Sequence, residues 1–206
     1  MADGAVFENE VIGRERHTGR LDIVGSGNRV EFEADVRSAM NITILGDGNR
    51  VTIGLGSYSA GHLHIEAHGA RFELGEYASI NDASFHMHEA GLIRIGARCA
   101  IAQHVWVTIS DMHPIYDMAT GERINPAADV IVEDDAWVGF RAVLLKGAHI
   151  GRGAVVGACS TVGGEVGPNC LAMGSPARVI REGVAWSWDF QTDTDPAKSG
   201  MAATAV

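Results

Sequence analysis

The chain has 206 residues, of which 46% are hydrophobic but only 6% aromatic, and its formal net charge is −10. That length suits one domain with a core of Val, Ile, Leu and Ala, and the acidity argues against nucleic acid or an anionic membrane as the main partner. No apolar run reaches membrane-spanning length, so no membrane span is expected.

Residues 1–20 open with MADGAVFENE, which has neither a basic stretch nor the apolar run of a secretory signal, and are read as a cap or loose arm. Three cysteines, Cys99, Cys159 and Cys170, lack metal-ligand spacing. Reduced thiols and a cytoplasmic location are the expectation.

Repeats begin with NRVEFEADV at Asn28, NRVTIGLGS at Asn49 and ARFELGEYA at Ala70, a period of 21 residues; LIRIGARCA at Leu92 follows 22 residues on. Within them Val30/Phe32, Val51/Ile53, Phe72/Leu74 and Ile93/Ile95 alternate with polar residues, as strands with one buried face do. Further along, Val132, Val138, Leu144, Ile150, Val156 and Val162 fall six residues apart, each followed four residues later by Ala136, Ala142, Ala148, Ala154, Ser160 and Val166. A period of six fits neither a helix nor a hairpin meander, and a helix would not tolerate Gly139, Gly151, Gly157 and Gly163 in its interior. It fits a triangular solenoid in which three hexads close one coil. The fold class is therefore all-β, a parallel β-helix over residues 21–185, with a C-terminal tail over 186–206.

Stacking HLHIEA, SFHMHE and WVTISD places Leu63, Phe85 and Val107 in one inward column and Ile65, Met87 and Ile109 in another. His64, His86 and Thr108 then share an outward column, with Glu66, His88 and Ser110 beside them. The plainest reading is a solvated polar face; an acceptor-binding wall and a metal site are the alternatives.

Residues 110–130, SDMHPIYDMATGERINPAADV, break the rhythm as a loop excursion, where a rigid repeat scaffold tends to carry function. With VIVEDDAWVGFRAVLLKGAHIGRGAVVGACSTV and PNCLAMGSPARVIRE after it, this segment resembles the hexapeptide-repeat acyltransferases. The likeness is to their sugar and capsular-polysaccharide O-acetyltransferases and covers roughly residues 92–188.

The resemblance implies a left-handed β-helix, a homotrimer, and acetyl-CoA in a groove between subunits as donor to a saccharide hydroxyl. It makes His113 the general base, accepting the hydroxyl proton as the thioester is attacked in a ternary complex. It places Trp137 beside the pantetheine arm, Gly139 and Ala158 in the turns that line the CoA groove, and Arg178 and Arg181 near the nucleotide phosphates. No resident metal is expected. One departure is Gly163-Gly164, where the family carries a Thr-Lys pair. The alternatives are a zinc hydratase of the γ-carbonic-anhydrase type and a non-catalytic solenoid scaffold.

Overall fold

The computed structural model describes residues 8–189, and these build a parallel β-solenoid with three faces. Face I stacks eight parallel strands, from Glu10–Ile12 through Arg29–Phe32, Arg50–Ile53, Arg71–Leu74, Leu92–Ile95, Val130–Val132 and His149–Ile150 to Glu165–Val166. Face II runs from Arg37–Ser38 through Ala100–Ile101, Trp137–Val138 and Val155–Val156 to Leu171–Gly174. Face III runs from Leu21–Val24 through Asn41–Leu45, Trp106–Thr108 and Val143–Leu144 to Thr161–Val162. The long strands Tyr58–Glu66 and Ser79–Met87 bend around the corner between faces II and III and join them into one sheet.

The in-register stacking turns each sequence repeat into a column of like residues. On face I, Phe32, Ile53, Leu74, Ile95, Val132, Ile150 and Val166 share one inward column, and all are almost fully buried. Corners repeat as strictly. The residue two before each face II strand is left-handed, at Asp35, Gly56, Tyr77, Arg98, Asp135, Gly153 and Asn169. Five of these are not glycine, and the regular hydrogen bonds of the stack hold them in a conformation that L-residues rarely adopt. The residue that follows points inward and is mostly small: Val36, Ser57, Ala78, Cys99, Ala136, Ala154 and Cys170, all buried. Hexad spacing thus delivers an aliphatic residue to each face and a small one to each corner.

At one place the hexads slip. Val166 was grouped with the small corner residues, but it pairs with Ile150 in the aliphatic column of face I. Gly163-Gly164 makes a turn two residues shorter than Leu145–Ala148 one coil earlier.

The boundaries also differ from those expected. The first coil begins within the expected cap or arm, where Glu10–Ile12 pairs with Arg29–Glu31. His17 closes the end of the core, stacked 4.6 Å from Phe32 and bonded through Nδ1 to Ser38 Oγ at 3.0 Å. After face II ends, Ala177–Arg181 turns back antiparallel on Leu171–Gly174. Trp186, assigned to the tail, donates its indole N–H to the Asp135 carbonyl at 2.6 Å. The rest of that tail, from residue 190, lies outside the described residues.

Candidate active site

The chain leaves face III after Thr108 and rejoins face I at Val130, so the excursion springs from the corner between those faces. Its two ends are pinched together where Ala128 N donates to the Ile109 carbonyl at 3.1 Å. Within it, Ile124 N donates to Ile115 O at 2.8 Å and Asp117 N to Glu122 O at 2.9 Å, forming a small hairpin. Asp117 Oδ1 accepts from the Ala119 and Thr120 amides at 2.7 and 2.9 Å and shapes its tip. This is a built loop rather than a slack connection.

Glu89 anchors it. Both Glu89 oxygens accept from the Arg123 guanidinium at 2.7 Å, and Oε1 also takes the Ser110 hydroxyl at 2.6 Å. The Arg123 and Ser110 hydrogen bonds hold the Glu89 carboxyl down at about 2. Arg123 also donates to the Asn125 carbonyl at 3.1 Å, while Asn125 Oδ1 accepts the Ile115 amide at 2.6 Å. Asn125 Nδ2 bonds both Asp111 Oδ2, at 2.8 Å, and the His113 carbonyl, at 2.9 Å.

His113 sits one residue after Met112, which is left-handed at φ 65°. Its amide donates to the Asp111 carbonyl at 2.7 Å, so both sides of its backbone are fixed. The side chain is exposed. Asp111 does not serve the imidazole. Its Oδ2 takes Lys146 Nζ at 2.6 Å and Asn125, and the first of these pulls the carboxyl below its usual range. The result is a positioned backbone presenting a free imidazole, which suits a group that must take a proton from an incoming hydroxyl.

The other predicted residues lie elsewhere on the prism. Gly139 and Ala158 meet at the corner between faces II and III, where a Cβ on Gly139 would come within 2.8 Å of the Ala158 amide nitrogen. Only a residue without a side chain lets these coils close so tightly. Trp137 is on face II, directed outward in register with Ala100 and Val155 and 41% exposed. Trp186 lies 6.0 Å from it and Trp188 5.2 Å from Trp186, so the C-terminal segment extends its aromatic surface. Arg178 and Arg181 are exposed on the antiparallel strand at the end of face II, and Arg178 Nη1 donates to its neighbour's carbonyl, Ala177 O, at 2.9 Å. Within one chain, therefore, His113 and the Gly139–Ala158 corner are separated by the whole of face III.

Sequence reasoning missed the loop's supports. Arg123 and Asn125 were visible in the GERIN motif, and Lys146 in LLKG, but Glu89 carried no signal because its partners are 21 and 34 residues away.

With this geometry in place, the comparisons with known proteins are specific. Residues 129–164 match the family model described as bacterial transferase hexapeptide (six repeats). The solved polySia-specific acetyltransferase NeuO superposes with a TM-score of 0.75 at 28% identity, covering 92% of this chain and 90% of that one. The chain is a parallel β-solenoid with hexapeptide repeats, similar in sequence and fold to polysialic-acid O-acetyltransferases. The Escherichia coli O1:K1 polysialic acid O-acetyltransferase is 34% identical over 95 residues, 46% of this chain and 31% of that protein. The Neisseria meningitidis enzyme of the same name is 44% identical over 59 residues, 29% of this chain and 27% of its own. The chain thus spans about a third or less of the length of these two curated relatives.

Proposed function

We infer that this solenoid transfers an acetyl group from acetyl-CoA to a hydroxyl of a saccharide, with His113 as the general base. The observation that carries this reading is the His113 loop: a hairpin clamped at Glu89 and Asn125 that presents an unencumbered imidazole beside a polar face. The sugar hydroxyl gives its proton to the imidazole as its oxygen attacks the thioester carbonyl. The tetrahedral intermediate then collapses, and the same proton passes to the departing CoA sulfur. Cys99 and Cys170 are buried, which suits neither to carry an acyl group, and burial also pushes the Cys99 thiol up to about 12.

The separation of His113 from Gly139 and Ala158 supports a homotrimer. The III/I corner of one subunit would meet the II/III corner of its neighbour, and the donor would lie between them. Gly139 and Ala158 then let the pantetheine arm approach backbone amides, Trp137 flanks it, and Arg178 and Arg181 meet the phosphates. No described helix is long and apolar enough to cross a membrane, and a cytoplasmic location, where acetyl-CoA is made, fits the donor.

The test is CoA release from acetyl-CoA over a panel of sugars and anionic and neutral bacterial polysaccharides. His113→Ala should lower acceptor-dependent turnover by about 10²- to 10⁴-fold while CoA binding persists. Unchanged turnover in that variant rejects His113 as base, and absence of CoA binding in the parent protein rejects the activity.

A further inference from the structure

Away from the loop's hydrogen bonds, face III carries the histidine ladder expected from the sequence. Registers His64↔His86 and His86↔Thr108 place these side chains outward in one column. The inward neighbours Leu63, Phe85, Val107, Ile65, Met87 and Ile109 are fully buried. The face is partly exposed, as the plainest reading has it, but two of its ring nitrogens are not solvated. His86 is sandwiched by stacking on Trp106, ring centres 3.9 Å apart, and lies nearly parallel to His88 at 6.1 Å. The Nε2 atoms of His86 and His88 are both out of water without a hydrogen-bond partner among the described residues.

Beside them three ligand-type groups converge. Glu66 Oε2 lies 3.6 Å from His64 Nε2 and 3.3 Å from His88 Nδ1, and the two imidazole rings are 5.6 Å apart, centre to centre. One donor atom from each of the three residues falls within 4.8 Å of the others. The edge from Glu66 to His88, at 3.3 Å, has the length that a tetrahedral zinc ion sets, and the edge to His64 is longer at 3.6 Å. Bonds of about 2.0–2.1 Å to nitrogen and oxygen separate neighbouring ligand atoms by about 3.3 Å. A hydrogen-bonded pair would be tighter, as His149 Nε2 and Glu133 Oε1 are at 2.8 Å on face I. The third edge closes by rotation of side chains that are partly exposed, 32% for His64 and 21% for His88.

We propose that His64, Glu66 and His88 form a binding site for one divalent transition-metal ion, of the zinc class, on face III. The ion would bridge two successive coils, since His64 and Glu66 belong to one and His88 to the next. Two imidazoles and one carboxylate leave a fourth position open to water or a ligand oxygen. The site adjoins the loop through a single peptide bond, because His88 precedes Glu89, which grips Arg123 and Ser110. An occupied site would therefore fix the chain from which the loop is held. The proposal departs from the expectation of no resident metal and takes up the metal-site reading of the histidine ladder. The ligands come from two coils, and their spacing is set by the stack.

The experiment uses the untagged full chain, stripped with chelator and then dialysed against Zn²⁺, with bound metal measured by mass spectrometry. One ion per chain is expected. His64→Ala with His88→Ala should weaken binding at least about 100-fold and Glu66→Gln about 10-fold. His62→Ala, on the same exposed face, should leave binding unchanged and controls for general effects on the coil. Co²⁺ substitution supplies an independent readout, since a tetrahedral site gives an intense visible absorption that the double variant should lack. A parent protein that retains no Zn²⁺, or a folded double variant that binds it equally well, overturns the proposal. So does loss of acceptor affinity in the double variant without any bound metal, which assigns the face to the glycan instead.

Discussion

The two halves of the solenoid solve the same packing problem with different chemistry. In the N-terminal coils, of 21 residues, face III carries a second inward column, Ile44, Ile65 and Met87, and the corner between faces III and I is stitched by asparagine side chains. Asn49 Nδ2 donates to Asn28 Oδ1 at 3.0 Å and to the Ala67 carbonyl at 2.9 Å, and its Oδ1 accepts the Ala70 amide at 2.8 Å. In the C-terminal coils the strands shrink to two residues, and Ala148 continues the column of Val51, Phe72, Ile93 and Val130. With a methyl where the earlier coils place Phe or Val, the corner turns in sooner and backbone groups serve one another without side-chain help. A wide coil thus needs polar ladders inside its corners; a narrow one needs small residues. The loop carrying His113 emerges where the wide form gives way to the narrow.

The sharpest way to break this comparison is Asn49→Ala. Asn49 is fully buried, and its loss orphans the Ala70 amide and the Ala67 carbonyl, while Asn28 Oδ1 keeps the backbone amide of residue 49. Leaving buried groups unpaired should cost about 2–4 kcal/mol, read as a lowered urea midpoint. A change below about 0.5 kcal/mol would mean that the ladder is incidental to the wide coils.

A smaller effect is expected where the two halves are tied at the loop. Glu89→Gln removes the charge that binds Arg123 in two parallel hydrogen bonds. Turnover should fall about 10-fold with CoA affinity unchanged, because the clamp positions His113 without touching the donor. Arg123→Ala should give the same loss, and the double variant no more than either alone. Additive losses would show that the two residues act separately.

The halves should also differ in their response to acid. His86 and His17 are in the wide coils, and burial lowers both below the usual imidazole value of 6.5, His86 to about 4. A depressed histidine stabilises the fold fully above its unfolded value. That contribution is lost as the pH falls from 6.5 through the folded value. Glu89, held at about 2 against 4.5, gives up its contribution only below pH 4.5. Urea unfolding should therefore weaken first between pH 6.5 and 4, and His86→Gln should flatten that part of the profile. An unchanged slope in the variant would exclude His86 as its source.

Much of the architecture was legible because hexads are local: six residues build one side, so the period reports the fold directly. The inward and outward columns of the histidine ladder were legible too, since strand alternation and coil length together fix the register. What stayed hidden depends on contacts between coils. Glu89 reads as one more surface acid until the stack brings it to Ser110 and Arg123. Asp111 stands two residues before His113 in the chain, yet Lys146, 35 residues on, takes its carboxylate. Even the regular repeat misled at its end, where Val166 kept the spacing of a corner residue but occupies a strand.

That irregularity supports the subtlest prediction. Gly163-Gly164 replaces a Thr-Lys pair of the resembled family, and the structure shows no backbone reason for glycine at either position. Neither residue has a left-handed φ. A Cβ at Gly163 would make only ordinary contact with Leu145, at 3.8 Å, and one at Gly164 would meet nothing within 4 Å. The nearby Lys146 cannot stand in as a phosphate ligand while Asp111 and the Pro126 carbonyl hold its ammonium. Gly163→Thr with Gly164→Lys should therefore fold with unchanged or slightly raised stability, since each glycine gives up unfolded-state freedom. It should also tighten CoA binding a few-fold in a salt-sensitive manner, measured by calorimetry at two ionic strengths. Unchanged affinity would place the nucleotide phosphates away from this corner and leave their recognition to Arg178 and Arg181 at the end of face II.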